Sequence, residues 1–112
     1  MRSKRISRPQ KSSGHAAPKP TDDQLLAIRS RFNRVGADFL KVDLDTALTF
    51  AAIASESRDP EKKQRNRRSA RKAYDTVVRL RAKMDLSGSD ARIIAAGLER
   101  LRWELAQLGE TF

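Results

Sequence analysis

The stretch that decides the fold is residues 61–83, EKKQRNRRSARKAYDTVVRLRAK, which carries ten Lys or Arg residues and two acids. At 100° per residue, five of the basic residues fall together on one side of a helix, opposite a row of small and apolar residues. We call the basic side the basic stripe: Arg65, Arg68, Lys72, Arg79 and Lys83. The opposite row consists of Ala70, Ala73, Val77, Leu80 and Met84. The pattern predicts a helix that packs on one face and presents positive charge along about 27 Å of the other.

Helix start and stop signals flank this stretch. Asp59 is a suitable N-cap, and Pro60 suits the first helical position. After a short connection, Ser87 or Ser89 can cap a last helix, which Gly109 ends. The helical spacing of this last segment places one stripe on a single face: Ile94, Gly97, Leu98, Leu101, Leu105 and Leu108.

The first ordered segment begins at Thr21, which forms a predicted capping box with Gln24. Apolar residues then recur at alternating spacings of three and four, which is typical of one helix face. We call this row the apolar stripe: Leu25, Ile28, Phe32, Val35, Phe39 and Val42. Gly36 interrupts the segment, and we expect a break or kink near residues 36–38. The alternative is one long helix through a glycine that costs about 1 kcal/mol relative to alanine.

After Asp38 this segment is apolar on two sides. One side carries Leu40, Leu44, Leu48 and Ala51, and the other carries Phe39, Val42, Phe50 and Ile53. Because a helix with two apolar faces is normally packed on both, we expect a central helix here.

These segments predict an all-α fold, a small antiparallel bundle of three to four helices. Residues 1–20 hold six basic residues, no acid and three of the four prolines, so we expect a disordered basic tail there. Residues 21–112 form the predicted bundle domain. Its expected helices span 22–35, 38–57, 60–84 and 89–108.

One short segment resembles a known helical repeat. Residues 70–77, ARKAYDTV, resemble the second helix of a tetratricopeptide hairpin, with small, aromatic and apolar residues at i, i+4 and i+7. The resemblance covers eight residues and implies a shared way of packing a helical hairpin, since no 34-residue period repeats along the chain.

The net charge of +10 is concentrated in residues 1–20 and 57–83. An even row of cations can hold the phosphates of a nucleic acid without reading its sequence. The candidate polyanion-binding residues are the basic stripe with two flanking arginines: Arg65, Arg67, Arg68, Arg71, Lys72, Arg79 and Lys83. Two other interpretations stay open. The stripe can face an acidic protein surface, or it can be a solvated face with local ion pairs, namely Asp59–Lys63, Glu61–Arg65 and Asp75–Arg79.

Trp103 lies about 160° around the last helix from Leu101, at 100° per residue. A lone tryptophan on this side indicates either a second contact surface or a cover for the first segment. We expect the cover, in which Trp103 packs over Leu25, Ile28 and Phe32. These four residues are the interface candidates.

Residues for catalysis are scarce. The chain has no cysteine and a single histidine, His15, which lies in the predicted tail. We find no Gly-rich phosphate loop, paired carboxylates or metal-ligand spacing, so we expect no enzyme activity, cofactor or metal site. The sequence has neither a membrane-spanning run nor a secretory signal, and we expect an intracellular, cytoplasmic protein with no membrane partner.

The leading functional interpretation is a small non-catalytic interaction module, either a protein–protein adaptor or a self-associating domain that forms a homodimer. The alternative is sequence-independent nucleic-acid binding through the basic tail and the basic face of helix 61–83.

Overall fold

The computed structural model describes Lys19 and residues 21–112, and among these residues it contains three helices and no strand. The helices are α1 (Asp22–Glu56), α2 (Pro60–Arg81) and α3 (Gly88–Gln107). The described part of the chain is all-helical, as predicted, and each helix contacts the other two, which is consistent with a bundle. The predicted disordered tail lies outside the described residues, apart from Lys19.

The predicted caps Thr21, Asp59 and Ser87 are confirmed, whereas no helix starts at residue 38. At α1 the Thr21 hydroxyl accepts a hydrogen bond from the Gln24 amide at 3.1 Å, and the Gln24 side chain accepts one from the Thr21 amide at 2.9 Å. At α2 the Asp59 carboxylate accepts from the Glu61 amide at 3.1 Å. At α3 Ser87, rather than Ser89, is the N-cap. Each cap satisfies an amide that the first helical turn leaves without a partner.

The predicted break near residues 36–38 is wrong, because α1 continues through Gly36 without interruption. The helix count is therefore three. The methyl group of Met84 lies where a side chain at residue 36 would begin, so the glycine makes room for Met84 between α1 and the end of α2. The propensity cost of one glycine, about 1 kcal/mol, is small for a helix whose hydrogen-bond ladder continues on both sides.

The core lies between one face of α1 and the facing stripes of α2 and α3. Its largest fully buried side chains are Leu40, Val77, Ile94, Leu101 and Leu105. Gly97 permits a close approach of α3 to α1, since a Cβ at this position would lie 3.0 Å from Cδ1 of Leu44. In the segment that resembles a tetratricopeptide helix, Ala70 and Val77 are buried and Tyr74 packs against the core.

The expectation that α1 is packed on both sides is confirmed only in part. On the second side, Phe50 and Ile53 are partly buried, and Phe50 packs against the core. Leu40 and Leu44 are buried, but Phe39 and Val42 on the other side are 57% and 63% exposed. The reason is that α2 and α3 both pack against the same face of α1, so no third element remains within residues 21–112 to cover the outer face.

Candidate functional site

The apolar stripe of α1 is an exposed row of large side chains. All six of its members, Leu25 to Val42, are between 50% and 74% exposed, and Phe32 is the most exposed. They lie on one helix with three- and four-residue spacing, so they form a contiguous strip rather than scattered single residues. Contiguous apolar strips of this kind mark interaction surfaces, whereas isolated exposed apolar residues do not.

The stripe is exposed for two reasons. Phe39 and Val42 lie on the outer face of α1, and the other four members precede the part of the helix that has buried positions. The first buried residue of α1 is Ala37, and all of the buried positions of this helix fall between residues 37 and 54. The first four turns therefore contribute nothing to the core. Sequence reasoning identified the stripe, but it assigned Phe39 and Val42 to a covered face.

The expected cover by Trp103 is wrong. The Trp103 side chain is 62% exposed, and Leu25, Ile28 and Phe32 are each at least half exposed. Trp103 could cover these residues only if the chain turned back at residues 36–38, and the continuous helix α1 does not provide such a turn. Trp103 is therefore a second exposed apolar residue on α3, separate from the stripe.

The basic stripe of α2 is exposed along its whole length, because Arg65, Arg68, Lys72, Arg79 and Lys83 all face solvent. None of the three ion pairs predicted to neutralise this face is formed among residues 21–112. Asp75 instead pairs with Arg71, which lies off the stripe, at 3.1 Å. The five cations consequently stay together as a positively charged face.

The two flanking arginines have a different role, because they hold the C-terminal residues against α2. The Arg67 guanidinium donates to Glu110 at 2.7 Å and to the Leu108 carbonyl at 2.9 Å. The Arg71 guanidinium donates to Glu110 at 3.1 Å, and it lies 4.3 Å from the ring centroid of Phe112. We call this arrangement the C-terminal clamp. It removes two of the seven predicted polyanion-binding residues from the exposed set.

The end of α3 explains how Glu110 reaches the two arginines. Gly109 adopts a positive φ of 99°, and the Glu110 amide donates to the Leu105 carbonyl at 3.0 Å, so the chain reverses as α3 ends. Sequence reasoning placed the helix stop at Gly109 but missed the clamp. The available signal was an acidic residue directly after that glycine, with one helix, α3, between it and the row of arginines on α2.

A groove of about 400 Å³ lies beside the clamp. Arg68, Lys72 and Arg79 of the basic stripe line it together with the clamp residues Arg67 and Glu110. The groove therefore lies between cations of the basic stripe and the C-terminal clamp. A polyanion that followed the basic stripe would pass beside the clamp.

One ion pair joins α1 to the first turn of α3. The Lys41 ammonium lies 2.6 Å from the Asp90 carboxylate. This hydrogen bond raises the pKa of Lys41 and lowers the pKa of Asp90, since it favours the charged form of both groups. The pair fixes α3 beside α1 close to where the buried part of α1 begins.

Within residues 21–112 no group of His, Asp or Glu side chains is arranged to hold a metal ion, and no helix there is long and apolar enough to cross a membrane. No protein-family model, curated protein or solved structure matches the chain. The two exposed faces, one apolar on α1 and one basic on α2, are the candidate functional sites.

Proposed function

We propose that the chain is a non-catalytic helical interaction module whose binding surface is the apolar stripe of α1. The observation that carries the proposal is the continuous row of six large apolar side chains, each at least half exposed, on a helix that extends past its own core. A partner that covers this row gains apolar burial without any rearrangement of the bundle.

The energetic scale supports this role. Complete burial of a large apolar side chain contributes about 1.5–3 kcal/mol. Six half-exposed side chains therefore offer a gain of the same order as the roughly 4–15 kcal/mol lost in bringing two molecules together. The stripe is large enough to carry a complex, whereas Trp103 alone is not.

The proposal includes an antiparallel order of neighbouring helices. Short connections at residues 57–59 and 82–87 favour it. The approach of Met84, just after α2, to Gly36 in the first half of α1 also supports it. With this order the first turns of α1 project beyond the end of α2 and remain accessible to a partner.

Photo-cross-linking tests the proposal. A photoreactive phenylalanine analogue replaces Phe32 in one variant and Trp103 in a matched control, which exposes an aromatic side chain of similar extent on α3. We expect a discrete adduct from position 32 that disappears when Ile28→Asp is added, and no such adduct from position 103. Equal labelling from both positions, or none from position 32, would show that the stripe does not bind a partner.

A second candidate function, sequence-independent nucleic-acid binding, is favoured by the five exposed cations of the basic stripe. Four of them, Arg65 to Arg79, lie on one face along about 21 Å of α2, a length that spans several phosphates of a nucleic-acid strand, and Lys83 follows in the turn after the helix. Such binding would be electrostatic and would not depend on base sequence.

Fluorescence anisotropy with a labelled oligonucleotide tests this second candidate. The variant Arg65→Gln/Arg68→Gln/Lys72→Gln should bind more weakly, with a salt slope reduced by roughly one unit per lost phosphate contact. The matched control is Arg34→Gln/Arg92→Gln/Arg100→Gln, which removes three exposed charges from α1 and α3. Equal binding by the wild type and the α2 variant at modest salt would remove the basic stripe as a nucleic-acid site.

A further inference from the structure

The spacing of the apolar stripe defines the geometry of its partner. Residues 25, 28, 32, 35, 39 and 42 alternate by three and four, which is the a/d pattern of a heptad repeat. A row with this pattern fits another helix that carries the same pattern, along about 26 Å of contact. It does not require a pocket or a flat surface on the partner.

Resting on the proposed function of the stripe, we infer that its partner is a second copy of this chain, with the two α1 helices packed antiparallel. In one register, Leu25 lies opposite the partner's Val42, Ile28 opposite the partner's Phe39, and Phe32 opposite the partner's Val35. Twofold symmetry repeats each layer, so all six side chains of each copy are covered. Each layer also pairs a larger side chain with a β-branched one, and no polar residue enters the row.

The charges beside the stripe favour this direction, although the same register brings Asp22 to about 3 Å along the axis from the partner's Asp43, where the two side chains lean apart. In the antiparallel register Arg31 lies about 3 Å along the axis from the partner's Asp38, and both side chains lean toward each other because helical side chains tilt toward their own N-terminus. The symmetry axis forms this pair twice. In a parallel, in-register pair Asp38 would instead lie beside the partner's Asp43, and two like-charge contacts would oppose association.

The rest of the bundle leaves space for the second copy. Val42 lies about 160° around α1 from both Leu40 and Leu44, at 100° per residue, so this end of the stripe faces away from the core. At the other end, residues 22–36 of α1 include no buried position. A second helix can therefore lie along the outer face of α1 without displacing α2 or α3.

Analytical ultracentrifugation of the full chain, after nuclease treatment, tests the inference. We expect a dimer of twice 12.6 kDa at micromolar concentration. Phe32→Asp should give a monomer with unchanged helicity by circular dichroism. The control Trp103→Asp, which changes another exposed aromatic residue, should stay dimeric. A monomeric Trp103→Asp would place the interface on α3 and overturn the inference.

Charge reversal tests the direction. Asp38→Arg and Arg31→Asp should each weaken dimerisation about tenfold, since each change places like charges together at two symmetric positions. The double variant Arg31→Asp/Asp38→Arg should restore the wild-type affinity. Tighter dimerisation of Asp38→Arg alone would instead indicate parallel packing, because the change removes a repulsion with the partner's Asp43.

The results also separate this inference from the proposed function. If the wild type is a monomer at 100 µM or above, self-association is wrong. In that case a discrete adduct from position 32 with a different protein would still support the interaction module. If position 32 gives no adduct and the chain is a monomer, both the proposed function and the inference are wrong.

Discussion

Residues 22–36 and 37–56 of α1 carry apolar side chains at the same helical spacing, but only the second half has buried positions. The second half adds a further row, Leu40 to Ala54, that α2 and α3 cover. The first half has no buried position, although part of it, residues 26–34, lines a groove with residues 85–90 at the start of α3. One continuous helix thus serves as a core element at one end and as an exposed surface at the other.

The difference between the two halves arises from the path of α2 and α3 and not from local helix propensity. Both α2 and α3 contact α1, whose buried positions all lie in the second half, and Gly97 allows α3 to approach Leu44 closely. No part of residues 57–112 returns along the outer face of the first half. An apolar face shows that burial would be favourable, but chain topology decides whether the same chain provides it.

The largest expected effect compares two consecutive residues of α1, one buried and one exposed. Leu40→Ala should lower the free energy of unfolding by about 2–5 kcal/mol, because the side chain is 1% exposed and its loss leaves a cavity. Phe39→Ala should have little effect on the monomer, since its side chain is 57% exposed. Urea unfolding followed by circular dichroism, at a concentration where the chain is monomeric, measures both.

An equal loss in the free energy of unfolding for Leu40→Ala and Phe39→Ala would contradict the division of α1 into a covered and an exposed face. At high protein concentration the comparison changes, because any loss caused by Phe39→Ala should then grow with concentration as the proposed dimer forms. Leu40→Ala should show a large loss at every concentration.

Most of the fold could be predicted from local signals in the sequence. The capping residues Thr21, Asp59 and Ser87 and the stop at Gly109 set the helix ends, because these residues satisfy backbone groups within one turn. The predicted break at Gly36 was wrong because the role of this glycine depends on a contact that is distant in the sequence. That glycine accommodates Met84, a contact 48 positions away along the chain that no local pattern reports.

The candidate surfaces were predictable to different extents. Helical-wheel positions alone were enough to predict that the basic stripe is exposed, because five cations on one helix face are not buried in a core. The flanking residues Arg67 and Arg71 were assigned to the same surface, and only the three-dimensional path of the chain after Gly109 brings Glu110 to them. Whether Trp103 is covered or exposed likewise depends on whether α1 turns back near Gly36.

The second prediction concerns the C-terminal clamp. In the clamp, a later segment of the chain covers part of α2, whereas no segment within residues 21–112 covers the apolar stripe in the first half of α1. Glu110→Gln should lower the free energy of unfolding by about 1–2 kcal/mol, the low end for hydrogen bonds to charged groups because the arginines are partly exposed. We expect a fall in melting temperature of several degrees. Glu99→Gln, an exposed acid on α3, is the control, and an equal change in both variants would argue against the clamp.

The third prediction tests the junction between the two halves of α1. Gly36→Ala should stabilise the chain by up to about 1 kcal/mol, since alanine is the better helix former and the end of the flexible Met84 side chain can move aside. The same substitution at Gly97 should destabilise, because its Cβ would press on Leu44 in the core. Thermal unfolding compares the two, and a loss of stability in Gly36→Ala would indicate that the Met84 side chain cannot move aside.

The smallest expected effect is the pH dependence of the Lys41–Asp90 pair, which ties α3 to α1 near the start of its covered half. The pKa of Asp90 is lowered, so its contribution to stability is present above the unfolded pKa near 3.8 and is lost as the pH falls through the folded pKa. The pKa of Lys41 is raised, so its contribution is complete below 10.5 and is lost as the pH rises through the folded pKa.

The melting temperature of Asp90→Asn should therefore lie slightly below that of the wild type by a constant amount between roughly pH 5 and 9, and the difference should shrink outside that window. Asp45→Asn, which changes an exposed carboxylate elsewhere on α1, is the control. A difference for Asp90→Asn that persists unchanged at pH 2 would mean that residue 90 contributes through packing or capping and not through its charge.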